Sequence, residues 1–467
     1  VVLSKSYGLR SVNESSSHVS ASTLFQIGSV SKTHIALGIA ILVDEGKVAW
    51  NDPVIKHYPA LELFDKYAQQ YVTIGDLLAM NSGLGRALDM GWGSGLYPTD
   101  KDLVANLRNV TPPHSLRSEN EYANANFAIL GQLIEYVTGL EWDQFLKQRI
   151  WEPLGMTRTF GSAFEARDDG DMSFGHVSCG GEVLGPFSLV TSPGSQLVAG
   201  ETGGKIAAGS IVSSSDDMAK MLRLLLNKGS IDGVAILKSP KLVSEMTSGK
   251  SIASPMNFNI AGHHFVPEGN TLAAGYGFDF KGGDTLMHHT RTGFAPDAQL
   301  GVAIMLNSMM IGVAGVNLDL LRSYVMGIFL DVPTDILDLS LANWREGAQD
   351  LVNQQQRLPG VPTCGPIFWK NPKILDLSAS EMDALVGVYA TQDSPEYYGP
   401  MSIVKTPENR LELRIAKLIA SLDLVADDRG AGRSFLWGHG PTASLVQITK
   451  NAGGKFDVNL DIVFSQQ

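Results

Sequence analysis

The chain has 467 residues, 44 % apolar and 18 % charged, which fits a packed protein of more than one domain and excludes a disordered chain. A formal net charge of −12 argues against a nucleic-acid partner, because binding phosphate needs a basic face. Two cysteines, Cys179 and Cys364, can form one disulfide and leave the redox compartment open.

The chain begins without a visible signal peptide at Val1-Val2-Leu3-Ser4-Lys5, so its natural start is expected upstream and a removed targeting segment stays possible. The sequons Asn13-Glu14-Ser15 and Asn109-Val110-Thr111 hint at secretion, and cytoplasmic localisation stays open. A strand is expected around Lys5 to Leu9, followed by Leu24-Phe25-Gln26-Ile27-Gly28 and a helix over about 29–45. That helix is apolar nearly all round (Ile35, Leu37, Ile39, Ile41, Leu42, Val43), which places it inside a large domain, and Gly46 is a natural stop. Gly91-Trp92-Gly93-Ser94-Gly95 reads as a loop.

A second helix is predicted over 126–138, closed by Gly139, and a third from the N-cap Ser215 to Gly229. The long segment from Asp168 to Thr202 reads as a site wall. Leu300 to Val316 is the one candidate membrane stretch. Asn307 and Ser308 break it, so a buried strand ending at Asn307 and then a helix is expected, with no membrane span.

After residue 330 the composition shifts. Asn353 to Gly360 resembles a linker, and from Leu385 onward the hydrophobic period becomes two, as in Leu411-Glu412-Leu413-Arg414-Ile415. A small antiparallel barrel or sandwich is expected there. The division is therefore 1–330, a linking or wrapping segment 331–380, and 381–467.

Chemistry concentrates at Ser29-Val30-Ser31-Lys32. A spacing of three puts Ser29 and Lys32 on one helix face. A serine hydroxyl needs a nearby base, and a lysine serves as one when burial disfavours its charge. The tetrapeptide alone is weak, since a capping serine with a solvated lysine looks the same. Tyr122-Ala123-Asn124 precedes the second helix. A phenol near a lysine can relay a proton, and Asn124 can hold Lys32 or a substrate carbonyl, although a mere turn with a capping asparagine would also fit.

Context separates these readings. Phe25 to Thr33, followed by Asp44-Glu45-Gly46-Lys47-Val48, resembles the active-serine segment of the class C β-lactamase and penicillin-binding-protein family. Thr73 to Leu84, Pro153-Leu154-Gly155-Met156 and Ala208 to Ser214 resemble further segments of it, in the right order across roughly residues 7 to 307. Tyr122-Ala123-Asn124 is similar to that family's Tyr-x-Asn motif.

The resemblance implies an α/β fold, an antiparallel sheet flanked by helices plus a helical subdomain. It also implies a serine hydrolase working through an acyl-enzyme, with Ser29, Lys32 and Tyr122 catalytic. Either Lys32 or Tyr122 can be the base. The family's third motif, Lys-Thr-Gly or His-x-Gly, has two candidates: His289-Thr290, which is preferred, and Arg291-Thr292-Gly293. His289, Thr290, Arg291 and Asn124 are thus expected to bind substrate. Oxyanion donors would be the Ser29 N–H and one N–H of the third-motif strand, worth about 3 kcal/mol each.

The C-terminal part is similar to the lipocalin-like barrels attached to some of these hydrolases, and is expected to stabilise rather than gate. A small-molecule or peptide-like substrate is implied, with esterase or peptidase activity ahead of acyl transfer, β-lactam hydrolysis or a catalytically silent binding protein. The absence of a Gly-x-Ser-x-Gly elbow disfavours an α/β-hydrolase. No cofactor and no metal are expected, because the pairs His263-His264 and His288-His289 lack helical ligand spacing.

Overall fold

A computed structural model describes residues 1–179, 182–189, 205–252, 273–274, 276, 282–285, 287–310, 314–339, 341–342, 374–425, 433–438, 444–460 and 462–467. Asn353 to Gly360, the pair His263-His264 and Cys364 lie outside these residues, and so does any Cys179–Cys364 bond.

The all-round apolar segment forms the helix Ser31–Asp44, entered through a 3₁₀ turn at Gly28–Val30. Every residue from Ser31 to Leu42 is buried, as a helix without a polar face requires. Gly46 (φ 68°) ends it in a Schellman arrangement: its N–H donates to Val43 O, and that of Lys47 to Leu42 O. The second helix, Ala125–Thr138, stops at left-handed Gly139. The third, Ser215–Leu226, is capped by Ser214 rather than Ser215, whose hydroxyl instead donates to Ala21 O.

Strands Gly282–Asp284, His289–Ala295 and Leu300–Leu306 form an antiparallel sheet in that order. The helix Ala314–Phe329 covers one face, where a Cβ on Gly293 would strike Met326 Sδ. Ser215–Leu226 covers the other, with Gly301 against Leu222. Leu300–Leu306 is half-buried, not buried as expected, because it is an edge strand of this sheet. A short strand, Ser308–Met310, intervenes before the Ala314–Phe329 helix, and among the described residues no helix is long and apolar enough to cross a membrane.

Three further expectations are corrected. Lys5 to Leu9 is not a strand: Leu9 makes one isolated bridge to His18, and the preceding residues are exposed with no ladder to join. Gly91 to Gly93 belongs to a short helix, Asp89–Gly93, because the backbone there packs against tyrosines. The long 168–202 segment contains a hairpin, Gly175–Cys179 with Glu182–Phe187.

The C-terminal alternation closes into a barrel of eight antiparallel strands, sealed where Gly387–Thr391 pairs with Ile462–Gln466. Tyr389, Met401, Ile403, Leu413, Phe435, Val446, Val458 and Phe464 point inward and are fully buried. The interior is a packed core, as small barrels favour.

Candidate active site

Ser29 lies in the 3₁₀ turn, partly exposed, while Lys32 one turn on is 0 % exposed. Lys32 Nζ donates to Ser29 Oγ (3.0 Å), Asn124 Oδ1 (2.6 Å) and Ala208 O (2.7 Å). Three acceptors match the three protons of an ammonium. Tyr122 OH also donates to Ser29 Oγ, at 2.6 Å, with Lys32 Nζ over its ring, 4.9 Å from the centroid.

Local structure explains the delivery of Tyr122 and Asn124. Asn126, buried in the first turn of the Ala125–Thr138 helix, accepts from Ser82 Oγ (2.7 Å) and donates to Leu77 O (3.2 Å). This pins the tripeptide before the helix to the Thr73–Leu84 segment, whose own helix Ile74–Leu78 starts with a Thr73/Asp76 capping box. Asn124 stands at the N-cap position but makes no capping bond. Its amide is used elsewhere: Oδ1 takes the Lys32 bond and Nδ2 donates to Asp89 Oδ2 at 2.7 Å. Lysine only donates and a carboxylate only accepts, so the orientation of this amide is fixed.

Two buried acids flank the pair. Burial pushes the Asp89 carboxyl up to about 6, against the Asn124 bond and the charges of Lys32 and Arg86, which pull it down. Burial likewise raises Asp100 to about 7, opposed by a bond from Ala207 N–H and by Lys32.

The structure thus brings Ser29, Lys32, Tyr122 and Asn124 together. His289, Thr290 and Arg291, expected to bind substrate, are buried. They sit on the middle strand of the sheet and are at most 6 % exposed. His289 Nδ1 meets Asp284 Oδ1 at 2.6 Å, and Arg291 binds Asp284 (2.7 and 3.2 Å) and Asp319 (2.9 Å). Thr290 Oγ1 is buried without a partner among the described residues. Asp284 lies opposite His289 and Gly282 opposite Arg291, and the edge strand makes the tightest approach to the Gly28–Val30 turn, with the middle strand beside it.

That contact is backbone on backbone. A Cβ on Gly283 would fall 1.8 Å from Ile27 O, and one on Gly28 would fall 2.8 Å from Asp284 N. Thr285 N–H donates to His288 O, so by the antiparallel alternation the Asp284 N–H points to the outer edge, towards Gly28 and Ser29. The glycine pair was the available signal, since glycine inside a strand marks a close backbone approach. Among the described residues no group of three or more His, Cys, Asp or Glu could hold a metal.

Fold and site together define a β-lactamase-like protein carrying a closed C-terminal barrel. The chain belongs to the beta-lactamase family, whose model matches residues 1–322. Penicillin-binding protein 4 of Amycolatopsis lactamdurans is 34 % identical over 140 residues, 30 % of this chain and 36 % of that protein. An unguisins hydrolase of Aspergillus campestris is 28 % identical over 232 residues, 48 % of this chain and 41 % of that protein. The chain thus spans about two fifths of the length of these curated relatives.

Among solved structures, the octameric penicillin-binding protein homologue from Pyrococcus abyssi aligns with a TM-score of 0.55 at 18 % identity, covering 100 % of this chain and 93 % of that one. A D-amino acid amidase from Ochrobactrum anthropi aligns with a TM-score of 0.52 at 22 % identity, over 72 % and 89 %. At these identities the likeness is one of fold.

Proposed function

We propose that the protein is a serine hydrolase that cleaves an ester or amide of a small-molecule or peptide-like substrate through an acyl-enzyme on Ser29. The observation that carries this is the placement of Ser29 Oγ between Lys32 Nζ (3.0 Å) and Tyr122 OH (2.6 Å). Both groups are within reach of the hydroxyl proton, and positioned proton transfer contributes about 10²–10⁴-fold.

In the forward step the Lys32–Tyr122 pair has first released one proton to solvent, and it takes up the Ser29 proton in its place as Oγ attacks the carbonyl carbon. The same proton then goes to the leaving alcohol or amine as that bond breaks. Water repeats the sequence to release the acid and restore Ser29. The carbonyl oxygen, negative in the tetrahedral intermediate, would sit between the N–H groups of Ser29 and Asp284. The first is a helix-start donor without an intrahelical acceptor, and the second faces the turn from the strand edge. One such donor is worth about 3 kcal/mol of barrier. Asn124 holds Lys32 in line and offers its amide edge to a bound carbonyl.

The test is intact mass after incubation with a fluorophosphonate, a β-lactam and a p-nitrophenyl ester, beside Ser29→Ala. A covalent adduct on the wild type that is absent from the variant is expected. Folded wild-type protein that takes up none of the three probes overturns the hydrolase reading in favour of a silent binding protein.

A further inference from the structure

The barrel touches the first domain close to this site, and the contact leads back to Lys32. The short helix Pro395–Tyr398, in the first loop of the barrel, lies against the helix Asp89–Gly93. Tyr397 is fully buried there: its hydroxyl donates to Leu88 O at 2.9 Å, and its own carbonyl accepts from Tyr97 OH at 2.6 Å. The Tyr97 and Tyr397 rings pack at a tilt of 46° with centroids 5.0 Å apart, and a Cβ on Gly91 would come within 2.9 Å of Tyr397 OH. Two further bonds fasten the same face, Thr111 N–H to Ser394 Oγ (2.9 Å) and Lys417 N–H to Ser94 O (3.0 Å).

The residue after Leu88 is Asp89. One oxygen of its carboxylate holds Asn124, and the other is buried with no partner among the described residues. A buried carboxylate with one unpaired oxygen is costly for the fold. Its single bond selects the one amide orientation in which Asn124 can accept from Lys32.

We infer that Asp89 is a positioning residue for Lys32, acting through Asn124, and that Tyr397 of the barrel braces the Leu88–Asp89 backbone that holds it in place. This rests on the serine-hydrolase reading. The barrel then contributes to the site through a continuous line, Tyr397 to Leu88–Asp89 to Asn124 to Lys32, without touching substrate. The groups acting on the Asp89 charge are Lys32 and Arg86 from the first domain and Tyr397 and Tyr398 from the barrel, with Asn124 as hydrogen-bond donor. Attraction between Asp89 and Lys32 is mutual, so removing the carboxylate charge eases loss of the lysine proton.

The experiment compares wild type, Asp89→Asn and Tyr397→Phe. Both variants keep shape, and thermal melting checks that each is folded. Two quantities are read across pH: the rate of fluorophosphonate labelling of Ser29, and the NMR signal of ¹³Cε-labelled Lys32, assigned against Lys32→Met. Asp89→Asn is expected to slow labelling about 10- to 100-fold, as for a misplaced catalytic group. It should also move the acid limb of the rate profile and the Lys32 titration together to lower pH, which a merely structural residue would not do. Tyr397→Phe should reproduce the direction at smaller amplitude, about 3-fold in rate by the same positional sensitivity.

A folded Asp89→Asn protein with an unmoved Lys32 titration overturns the inference. Tyr397→Phe identical to wild type in both readouts removes the barrel from the line. The Lys32 signal needs no turnover. Wild-type protein that never labels, yet whose Lys32 titration moves in Asp89→Asn, therefore defeats the hydrolase reading and upholds the positioning.

Discussion

Ser29 Oγ has two close polar neighbours, and they differ in what they can do alone. Lys32 also holds Asn124 and Ala208 O, so its loss would strand two buried acceptors as well as a proton carrier. Tyr122 OH makes its bond to Ser29 from a partly exposed position, which makes Tyr122→Phe the cleaner probe. That variant should lower ester kcat about 10²–10⁴-fold with little change in KM, while still forming a slow adduct on Ser29. Stopped-flow acylation measures it, and an unchanged rate would leave Lys32 as the sole base. Asp100 offers a second prediction at this scale. Its folded pKa of about 7 lies above the ordinary 3.8, so between these values the unfolded chain is ionised while the folded one stays neutral. Its contribution is fully present below pH 3.8 and is lost as pH rises towards 7. His34 (about 4) and His288 (about 3) run oppositely, since their depressed values remove stability as pH falls below 6.5. These trends mask one another in the wild type, so the informative quantity is a difference. The melting temperature of Asp100→Asn minus that of wild type should rise between pH 4 and 7, reflecting about 1–3 kcal/mol. A flat difference would mean that Asp100 is already ionised in the fold.

At the scale of elements, the decisive contact is the edge strand Gly282–Asp284 laid on the nucleophile turn. Gly283→Ala should break it, because a methyl group 1.8 Å from Ile27 O meets rigid backbone. Separation of strand and turn should widen the gap between the Ser29 and Asp284 N–H groups and lower acylation about 10²-fold, the worth of one oxyanion donor. The measurement is labelling rate beside melting temperature, and a fully active Gly283→Ala protein would place the second donor elsewhere. The same contact shows what the sequence can carry. The buried helix was legible because its apolar residues lack a polar face, whereas Ser29, Lys32, Tyr122 and Asn124 stood out as a group only through the order of several family-like segments, since each short motif alone also fits a cap or a turn. The third-motif candidates His289-Thr290 and Arg291-Thr292-Gly293 lie on a buried strand where His289 and Arg291 pair with Asp284. What meets Ser29 is glycine backbone, which displays no side chain to read. Asp89 was missed for a related reason: its role exists only through Asn124, 35 residues along the chain.

At the scale of the whole molecule, the barrel is a second core joined to the first. Its interior is filled by side chains such as Phe435, Tyr389 and Phe464. Those side chains form one continuous apolar cluster with residues of the first domain, from Ile27 and Leu88 through Tyr97 to Tyr397. Continuity of this kind predicts shared cooperativity, because neither half can open without exposing the Tyr97–Tyr397 contact. Phe435→Ala, far from Ser29 in sequence and wholly inside the barrel, should cost about 3–5 kcal/mol by cavity formation. If the halves were independent, calorimetry would show the barrel melting early and the first domain unmoved. A coupled molecule should instead show one transition displaced downward, with Ser29 labelling lost across that same transition. Labelling that survives the melting of the barrel would make it an appendage with its own stability, and the line from Tyr397 to Lys32 would then have no energetic weight.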